Sequence, residues 1–112
     1  MITINMEKFN FGEIVLLKFP FTNSKKYKKR PALVILDTND GDIIVCRITS
    51  VLYETEFDFE VENYEKYGLR LPSVIRLHKI ASLEESLIDL TIGVINEKLK
   101  QKLKEKFASL LK

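Results

Sequence analysis

Hydrophobic and polar positions alternate in short blocks along most of the chain, a pattern that predicts strands. "FGEIVLLKF" (11–19), "PALVIL" (31–36) and "IIVCRITSV" (43–51) carry apolar residues at consecutive positions. Such runs are typical of strands buried on both faces of a small curled sheet or barrel. Pro20 is expected to end the first strand, and the polar residues 21–30 to form a loop.

Residues 53–62 show the clearest period of two in the sequence. One face would carry Tyr53, Thr55, Phe57, Phe59 and Val61, and the other Glu54, Glu56, Asp58, Glu60 and Glu62. This alternation predicts an amphipathic strand whose acidic face is solvated. We expect that acidic face to repel a polyanion.

The second half of the chain predicts two further strands and a terminal helix. After a loop over 63–72, "SVIRLHKI" (73–80) and "LTIGVI" (90–95) are strand candidates. Between them, "SLEESLI" (82–88) predicts a helical turn with Ser82 as N-cap and Glu85 completing a capping box. The tail from residue 96 predicts a helix capped by Asn96, with one apolar stripe of Leu99, Leu103, Phe107, Leu110 and Leu111.

Five or six short strands and one terminal helix define a mainly β protein. The simplest architecture is a small SH3-like or related barrel with an added C-terminal helix. A chain of 112 residues is long enough for one domain with a core, so residues 1–112 are expected to form a single domain.

Composition indicates a soluble globular protein, with 46% hydrophobic and 30% charged residues. No apolar run reaches the roughly 18 residues of a membrane span, so no membrane partner is expected. Glu7 and the lack of an apolar segment argue against an N-terminal signal peptide. Cys46 is the single cysteine, which excludes an internal disulfide framework; it is expected in the core. These features favour the cytoplasm, and no metal or cofactor is expected.

The net charge of +2 hides an uneven distribution. Residues 18–30 contain six basic residues and no acid, whereas residues 54–65 contain six acids and no base. The C-terminal tail is rich in lysine. A local basic patch on a nearly neutral chain indicates a localised anion site.

"DTNDGD" (37–42) has the Asp-Gly signature of a tight hairpin turn. If Asp40 is its centre and Gly41 adopts a positive φ, paired residue numbers sum to about 80, with a slip of one allowed. Arg30 then lies opposite Val51, Ser50 or Thr49. A guanidinium beside hydroxyls would suit phosphate. Alternatively, Arg30 is an ordinary solvated cation and Thr49 serves β propensity; the residues alone leave both open.

Four segments together resemble the MazF/PemK (Kid) family of toxin–antitoxin endoribonucleases. In chain order they are "FGEIVLLKFPFTNSKKYKKRPALVIL", "VCRITS", "LPSVIRLHKIASLEESLI" and "IGVINEKLKQKL". The resemblance implies a CcdB/MazF-like barrel that works as a homodimer. It also implies metal-independent cleavage of single-stranded RNA to a 2′,3′-cyclic phosphate and a 5′-hydroxyl. A cognate antitoxin, whose disordered tail blocks the RNA groove, would be the protein partner.

The resemblance also implies catalytic residues. Arg30 of the "RP" motif and Thr49 of the "ITS" motif match the recurrent active-site pair, for transition-state stabilisation and phosphate orientation. Arg76 matches the catalytic arginine of the Kid branch, where a "VxRxD" strand supplies an arginine and an aspartate. His78 stands at the aspartate position, so either a substituted base or a lost role is open.

The remaining candidates would bind RNA outside the reacting phosphate. Ser50 would contribute a backbone donor. Tyr27 would stack on a base, or would pack locally. The lysines of the basic cluster would bind the neighbouring phosphates, with an affinity that falls steeply as the salt concentration rises. They are Lys25, Lys26, Lys28 and Lys29.

Two rival functions fit the same fold. One is a gyrase poison of the CcdB type; those toxins use a tryptophan near the C-terminus, and this chain has no tryptophan. The other is a barrel that binds RNA without cutting it because of the substitution at His78. RNA cleavage is the favoured interpretation.

Overall fold

The computed structural model describes residues 8–20 and 27–112. In this part of the chain six strands and one helix follow one another, with short 3-10 turns at Tyr64–Tyr67 and Glu85–Leu87. The elements are β1 (Glu13–Pro20), β2 (Tyr27–Asp37), β3 (Asp42–Thr49), β4 (Asp58–Glu60), β5 (Val74–Glu84), β6 (Ile88–Val94) and α1 (Glu97–Leu110). The prediction of a mainly β protein with a C-terminal helix is confirmed.

All neighbouring strands are antiparallel, in the order β4-β5-β3-β2-β1-β6. The sheet separates two apolar clusters. The cluster under α1 includes Ile14, Leu33, Cys46, Ile75, Leu99 and Leu103. The cluster away from α1 includes Val15, Leu17, Ala32, Val34 and Val45. Helix α1 therefore covers one side of the sheet and leaves the other side available for a site.

Helix α1 begins as predicted. The Asn96 side chain accepts a hydrogen bond from the Leu99 backbone N–H at 2.9 Å, which satisfies one of the unpaired donors of the first turn. Leu99 and Leu103 are buried against the sheet. Leu111 was predicted to extend this stripe but is 82% exposed, because the helix ends one residue earlier.

The hairpin of β2 and β3 has the predicted register. Asp37 pairs with Ile43, so their numbers sum to 80, and beyond a bulge the pairs run to Ala32 and Arg47 with a sum of 79. Gly41 has the expected positive φ, 95°. The prediction that residue numbers across the hairpin sum to about 80 is confirmed.

Strand β2 is longer than the sequence pattern predicts. Residues 27–30 were expected in a loop, yet Tyr27 to Arg30 pair with β1. The alternating apolar pattern is absent there because Lys28, Lys29 and Arg30 are all exposed. The backbone groups of β1 need partners whatever the side chains of β2 are, so pairing continues past the hydrophobic run.

The predicted strand over 53–62 is mostly wrong. Only Asp58–Glu60 forms a strand, and it pairs with β5 at the sheet edge. The acidic residues were expected to share one solvated face. The Asp58 side chain departs from that prediction because it is only 2% exposed and lies against Arg76.

The predicted capping box after the fifth strand is also wrong. Ser82 lies inside β5, which continues to Glu84. The 3-10 turn that follows begins at Glu85, and the preceding residue makes no capping hydrogen bond through its side chain. Strand β5 is extended because Ser82 and its neighbours pair with the first residues of β3.

Strand β5 contains a large irregularity. Cys46 pairs with Ile80, whereas the next residue, Arg47, pairs with Arg76. Residues 77–79 are therefore extra residues on β5 relative to β3, as in an extended β-bulge. This bulge carries His78 and Lys79, and it redirects the second half of β5.

Gly93 permits a close contact between β6 and the turn that leads to residues 68–71. A Cβ at this position would lie 2.3 Å from the Tyr67 carbonyl oxygen. By contrast, a Cβ at Gly41 would meet nothing within 4 Å, although its φ of +95° disfavours a side chain.

We expect Gly93→Ala to lower the free energy of unfolding by about 2–3 kcal/mol, since it must push backbone apart. Gly41→Ala is the matched control, with an expected loss of about 1–2 kcal/mol from its backbone conformation alone. Urea denaturation measures both. Equal losses would contradict the close packing of the turn against β6.

Candidate functional site

A groove of about 1090 Å³ borders the apolar cluster that lies away from α1. Its cationic lining residues are Lys29, Arg30, Arg47, Arg70 and Lys79, and its hydroxyl residues are Thr49, Ser50 and Ser73. Among the described residues that line it there is no carboxylate. A concave surface with one sign of charge concentrates a ligand of the opposite sign, so this groove suits a polyanion.

Arg30 and Thr49 lie at the same end of this groove. The pairing of β2 with β3 is described as far as Ala32 and Arg47. The same register, if continued by two residues, would set Arg30 opposite Thr49, and both residues line the groove. Arg30 is exposed, whereas Thr49 is 9% exposed. Both residues that the sequence pairs therefore line one groove.

The Thr49 hydroxyl is oriented by its own strand end. Its Oγ1 accepts a hydrogen bond from the Val51 N–H at 3.2 Å. A hydroxyl that accepts at one lone pair still has its hydrogen to donate. The Thr49 hydroxyl therefore keeps a hydrogen to donate, and Ser50, which follows it in the chain, is exposed and also lines the groove.

The lysines of the basic cluster have different environments. Lys29 Nζ lies 2.8 Å from Asp89 Oδ2, and this contact lowers the pKa of the Asp89 carboxyl. Part of the Lys29 charge is thereby neutralised. Lys28 is exposed and does not line the groove. Lys25 and Lys26, together with the Tyr27 side chain, lie outside the described residues.

Arg76 lies in a separate cluster beside the groove. Its Nε donates to Asp58 Oδ1 at 2.9 Å, and its guanidinium carbon lies 3.7 Å from the centre of the Tyr53 ring. The two charged side chains are 11% and 2% exposed. A cation held against an aromatic face and a carboxylate loses most of its rotational freedom.

The Asp58 carboxyl is kept ionised by its neighbours. Burial raises its pKa, but this effect is outweighed by hydrogen bonds from Thr55 and by the hydrogen bond and charge of Arg76, so the pKa lies below its usual value. Thr55 donates to Oδ2 through its hydroxyl at 2.5 Å and through its N–H at 3.1 Å.

His78 is not among the residues that line the groove. It is exposed, and its ring packs on Phe57 with centroids 4.8 Å apart and planes tilted by 43°. His78 therefore does not share the groove lining that contains Arg30 and Thr49.

Sequence reasoning overlooked four charged residues. Arg47 could have been found, because it precedes Thr49 by two positions and shares its strand face. Arg70 comes from a segment with no periodic signal, and Lys79 from a bulge that pattern cannot reveal. Asp58 could not be distinguished, because it is one of five acids that occupy every second position from residue 54 to residue 62.

The six-stranded antiparallel sheet, the terminal helix and the cation-lined groove define a small β protein whose groove suits a polyanion. The profile of the PemK-like, MazF-like toxins of type II toxin–antitoxin systems matches residues 10–111. The chain belongs to this family. Among curated protein sequences, none is similar enough to count as a match.

Several solved structures share this fold. A MazE–MazF complex from Deinococcus radiodurans superposes with a TM-score of 0.72 at 21% identity, covering 91% of this chain and 94% of that chain. The Mycobacterium tuberculosis toxin MazF-mt6 gives 0.71 at 18% identity, with 87% and 93% covered. A mycobacterial endoribonuclease in complex with its cognate antitoxin gives 0.65 at 14%, with 90% and 92% covered. The expected MazF-like fold is confirmed.

No helix within residues 8–20 and 27–112 is long and apolar enough to cross a membrane.

The Asp58–Arg76 pair generates a pH dependence of stability. Because the folded-state pKa of Asp58 lies below the ordinary value of 3.8, its contribution is complete above that value and is lost as the pH falls through the folded-state pKa. We expect the difference in melting temperature between the wild type and Asp58→Asn to be constant from pH 7 to about pH 5 and to shrink below about pH 4. A difference that persists unchanged at pH 2.5 would contradict this assignment.

Proposed function

We propose that this protein is a ribonuclease toxin that cleaves single-stranded RNA in the groove. The observation that carries the proposal is the meeting of Arg30 and Thr49 in a groove whose described lining holds five cations and no carboxylate. Family membership and the endoribonuclease names of structural neighbours support it.

The proposed reaction uses a nucleophile that RNA itself supplies. The 2′-oxygen attacks the adjacent phosphorus and loses its proton, while the bond from phosphorus to the 5′-oxygen breaks and that oxygen gains a proton. The products are a 2′,3′-cyclic phosphate and a 5′-hydroxyl. Arg30 would stabilise the charge on the pentacovalent phosphorus, and Thr49 would hold a phosphate oxygen through its hydroxyl.

Proton transfer needs groups other than this pair. Arginine remains protonated at neutral pH, so Arg30 acts as a clamp rather than as a base. His78 is the chain's one histidine. It would act as the base where bound RNA brings the reacting 2′-hydroxyl, next to the phosphate held by Arg30 and Thr49, within hydrogen-bond reach of a neutral imidazole on the bulge. Arg76, whose cluster lies beside the groove, is the second arginine that we assign to the reaction.

Binding without cleavage is the second candidate function. It is favoured by one observation, namely that the described groove lining contains no imidazole and no carboxylate. Single-stranded RNA would then be held by the cations and released intact.

We further propose that the protein acts as a homodimer and is inhibited by a cognate antitoxin whose tail crosses the groove. Three apolar residues that line the groove are more than half exposed, and they would provide apolar contacts for such a tail alongside the groove cations. They are Val51, Leu71 and Ile80. Both partners are expected from the family. MazE–MazF complexes among the structural neighbours support the antitoxin.

The decisive experiment is cleavage of unstructured RNA in EDTA, with product ends mapped by mass spectrometry. We expect 2′,3′-cyclic phosphate ends from the wild type. Arg30→Ala should reduce the single-turnover rate by roughly 10²–10³-fold, as for loss of one preorganised transition-state contact. Arg30→Lys should restore little, because an ammonium cannot make two parallel hydrogen bonds to phosphate.

The same experiment tests the role of His78 with the variant His78→Ala. If His78 takes the 2′-proton, its rate should fall by about 10²–10⁴-fold with RNA binding retained. Undiminished cutting would exclude His78 as the base. RNA that stays intact with the wild-type protein, but is bound tightly, would replace the nuclease by the binding function.

The overlooked groove cations predict a salt dependence. Lys79→Gln and Arg70→Gln should each weaken binding of a 2′-O-methyl RNA and reduce the slope of log K against log salt by about 0.7. Lys102→Gln, on the exposed side of α1, is the control and should leave the slope unchanged. The slope can be measured by fluorescence anisotropy; equal slopes for all three variants would place the RNA elsewhere.

A further inference from the structure

A row of charged residues crosses the sheet next to the groove. Asp58 pairs with Arg76, and Arg76 pairs with Arg47 on the next strand. Like charges directly opposite on neighbouring strands repel each other. Asp58 lies on the far side of Arg76 from Arg47, so its carboxylate offsets this repulsion without entering the groove.

The position of Arg76 is fixed at three points. Strand β5 holds its backbone, Asp58 holds Nε, and the Tyr53 ring covers one face of the guanidinium. Among the described residues, its two terminal nitrogens make no hydrogen bond, and no buried side-chain nitrogen or oxygen lacks a partner. The terminal nitrogens of Arg76 therefore reach the surface, and they do so as a fork of fixed orientation.

This fork lies close to the Arg30–Thr49 end of the groove. Thr49 pairs with Val74, and Arg76 follows Val74 by two residues on the same strand face. Thr49 and Arg76 are thus diagonal neighbours, for which Cα atoms are separated by about 7–8 Å. That distance is within reach of one phosphate held between an arginine fork and a threonine hydroxyl.

Asp58 is itself held on both oxygens. Oδ1 accepts from Arg76, and Oδ2 accepts from the Thr55 hydroxyl and N–H. A carboxylate whose two oxygens have different partners cannot rotate freely. Its Oδ1 therefore accepts from Nε in one direction, and this fixes the orientation of the guanidinium. This is the arrangement by which supporting residues hold a reacting group within a fraction of an ångström.

We propose that Asp58 is a positioning residue that aims the terminal nitrogens of Arg76 at the charge developing on the scissile phosphate. The inference rests on the proposed ribonuclease activity and adds to it a residue that does not touch RNA. Donors that are oriented before the reaction stabilise a charged transition state more than donors that must reorient.

The test is Asp58→Asn in single-turnover cleavage at saturating RNA. We expect the rate to fall by roughly 10–100-fold, less than for outright loss of a donor. Affinity for 2′-O-methyl RNA should be unchanged or higher, because one negative charge is removed. Glu60→Gln is the matched control: it removes the same charge from the same strand, at an exposed residue, and should leave the cleavage rate unchanged.

A double-mutant cycle shows whether Asp58 acts through Arg76. In an Arg76→Gln background, Asp58→Asn should change the rate by less than about twofold. If Asp58→Asn lowers the cleavage rate in the Arg76→Gln background as much as it does in the wild type, the proposal is overturned. A wild-type rate for Asp58→Asn alone would overturn it too. In either case the wild type still cuts RNA, so the proposed function stands; a wild type that does not cut overturns both.

Thr55→Val is a second variant that tests the proposal if Asp58→Asn does not fold. It removes the hydroxyl contact to Oδ2 but leaves the ion pair and its charge. We expect a rate loss of a few-fold at unchanged RNA affinity, and Asp58→Glu should restore part of the Asp58→Asn loss. A lowered melting temperature with an unchanged cleavage rate at 20 °C would assign Asp58 a structural role only and overturn the proposal.

Discussion

The register of the β2–β3 hairpin is the constraint on which the candidate site depends. A slip by one residue would move every side chain of one strand to the opposite face. Arg30 and Thr49 would then no longer share a groove. Asp37 helps to hold the register, because its buried carboxylate accepts from the Asn39 N–H at 2.9 Å within the turn and from the Phe9 N–H at 3.0 Å in the segment before β1.

The two sides of the sheet carry different tasks. Helix α1 covers one side, where its buried Leu99 and Leu103 join the larger apolar cluster that stabilises the fold. The other side gathers cations that would repel one another if uncompensated. The acids that offset this repulsion lie behind the cations rather than among them: Asp89 contacts Lys29, and Asp58 contacts Arg76. The groove thereby keeps a positive surface although the chain is nearly neutral.

Features fixed by neighbouring residues could be predicted from the sequence. The turn around Asp40 and the Asn96 cap could be predicted from the residues next to them. The hairpin register then followed from the position of the turn. Pairings between distant segments could not be predicted: Arg30 belongs to a strand because β1 lies beside it. Asp58 looked like one acid among five, and only the approach of β5 at the sheet edge distinguishes it. The β5 bulge leaves no mark on hydrophobic periodicity.

The thiol of Cys46 can be used to measure how often the sheet opens. Its side chain is fully buried between the β-sheet and α1, its Sγ lies 3.8 Å from the Leu77 carbonyl oxygen, and burial raises the pKa of its thiol to about 12. At neutral pH the folded protein therefore presents almost no thiolate, the form that reacts with alkylating reagents. Modification must wait until β3 separates from its neighbours. The rate of thiol labelling thus measures how often the central strands open, a kinetic property separate from any activity of the groove.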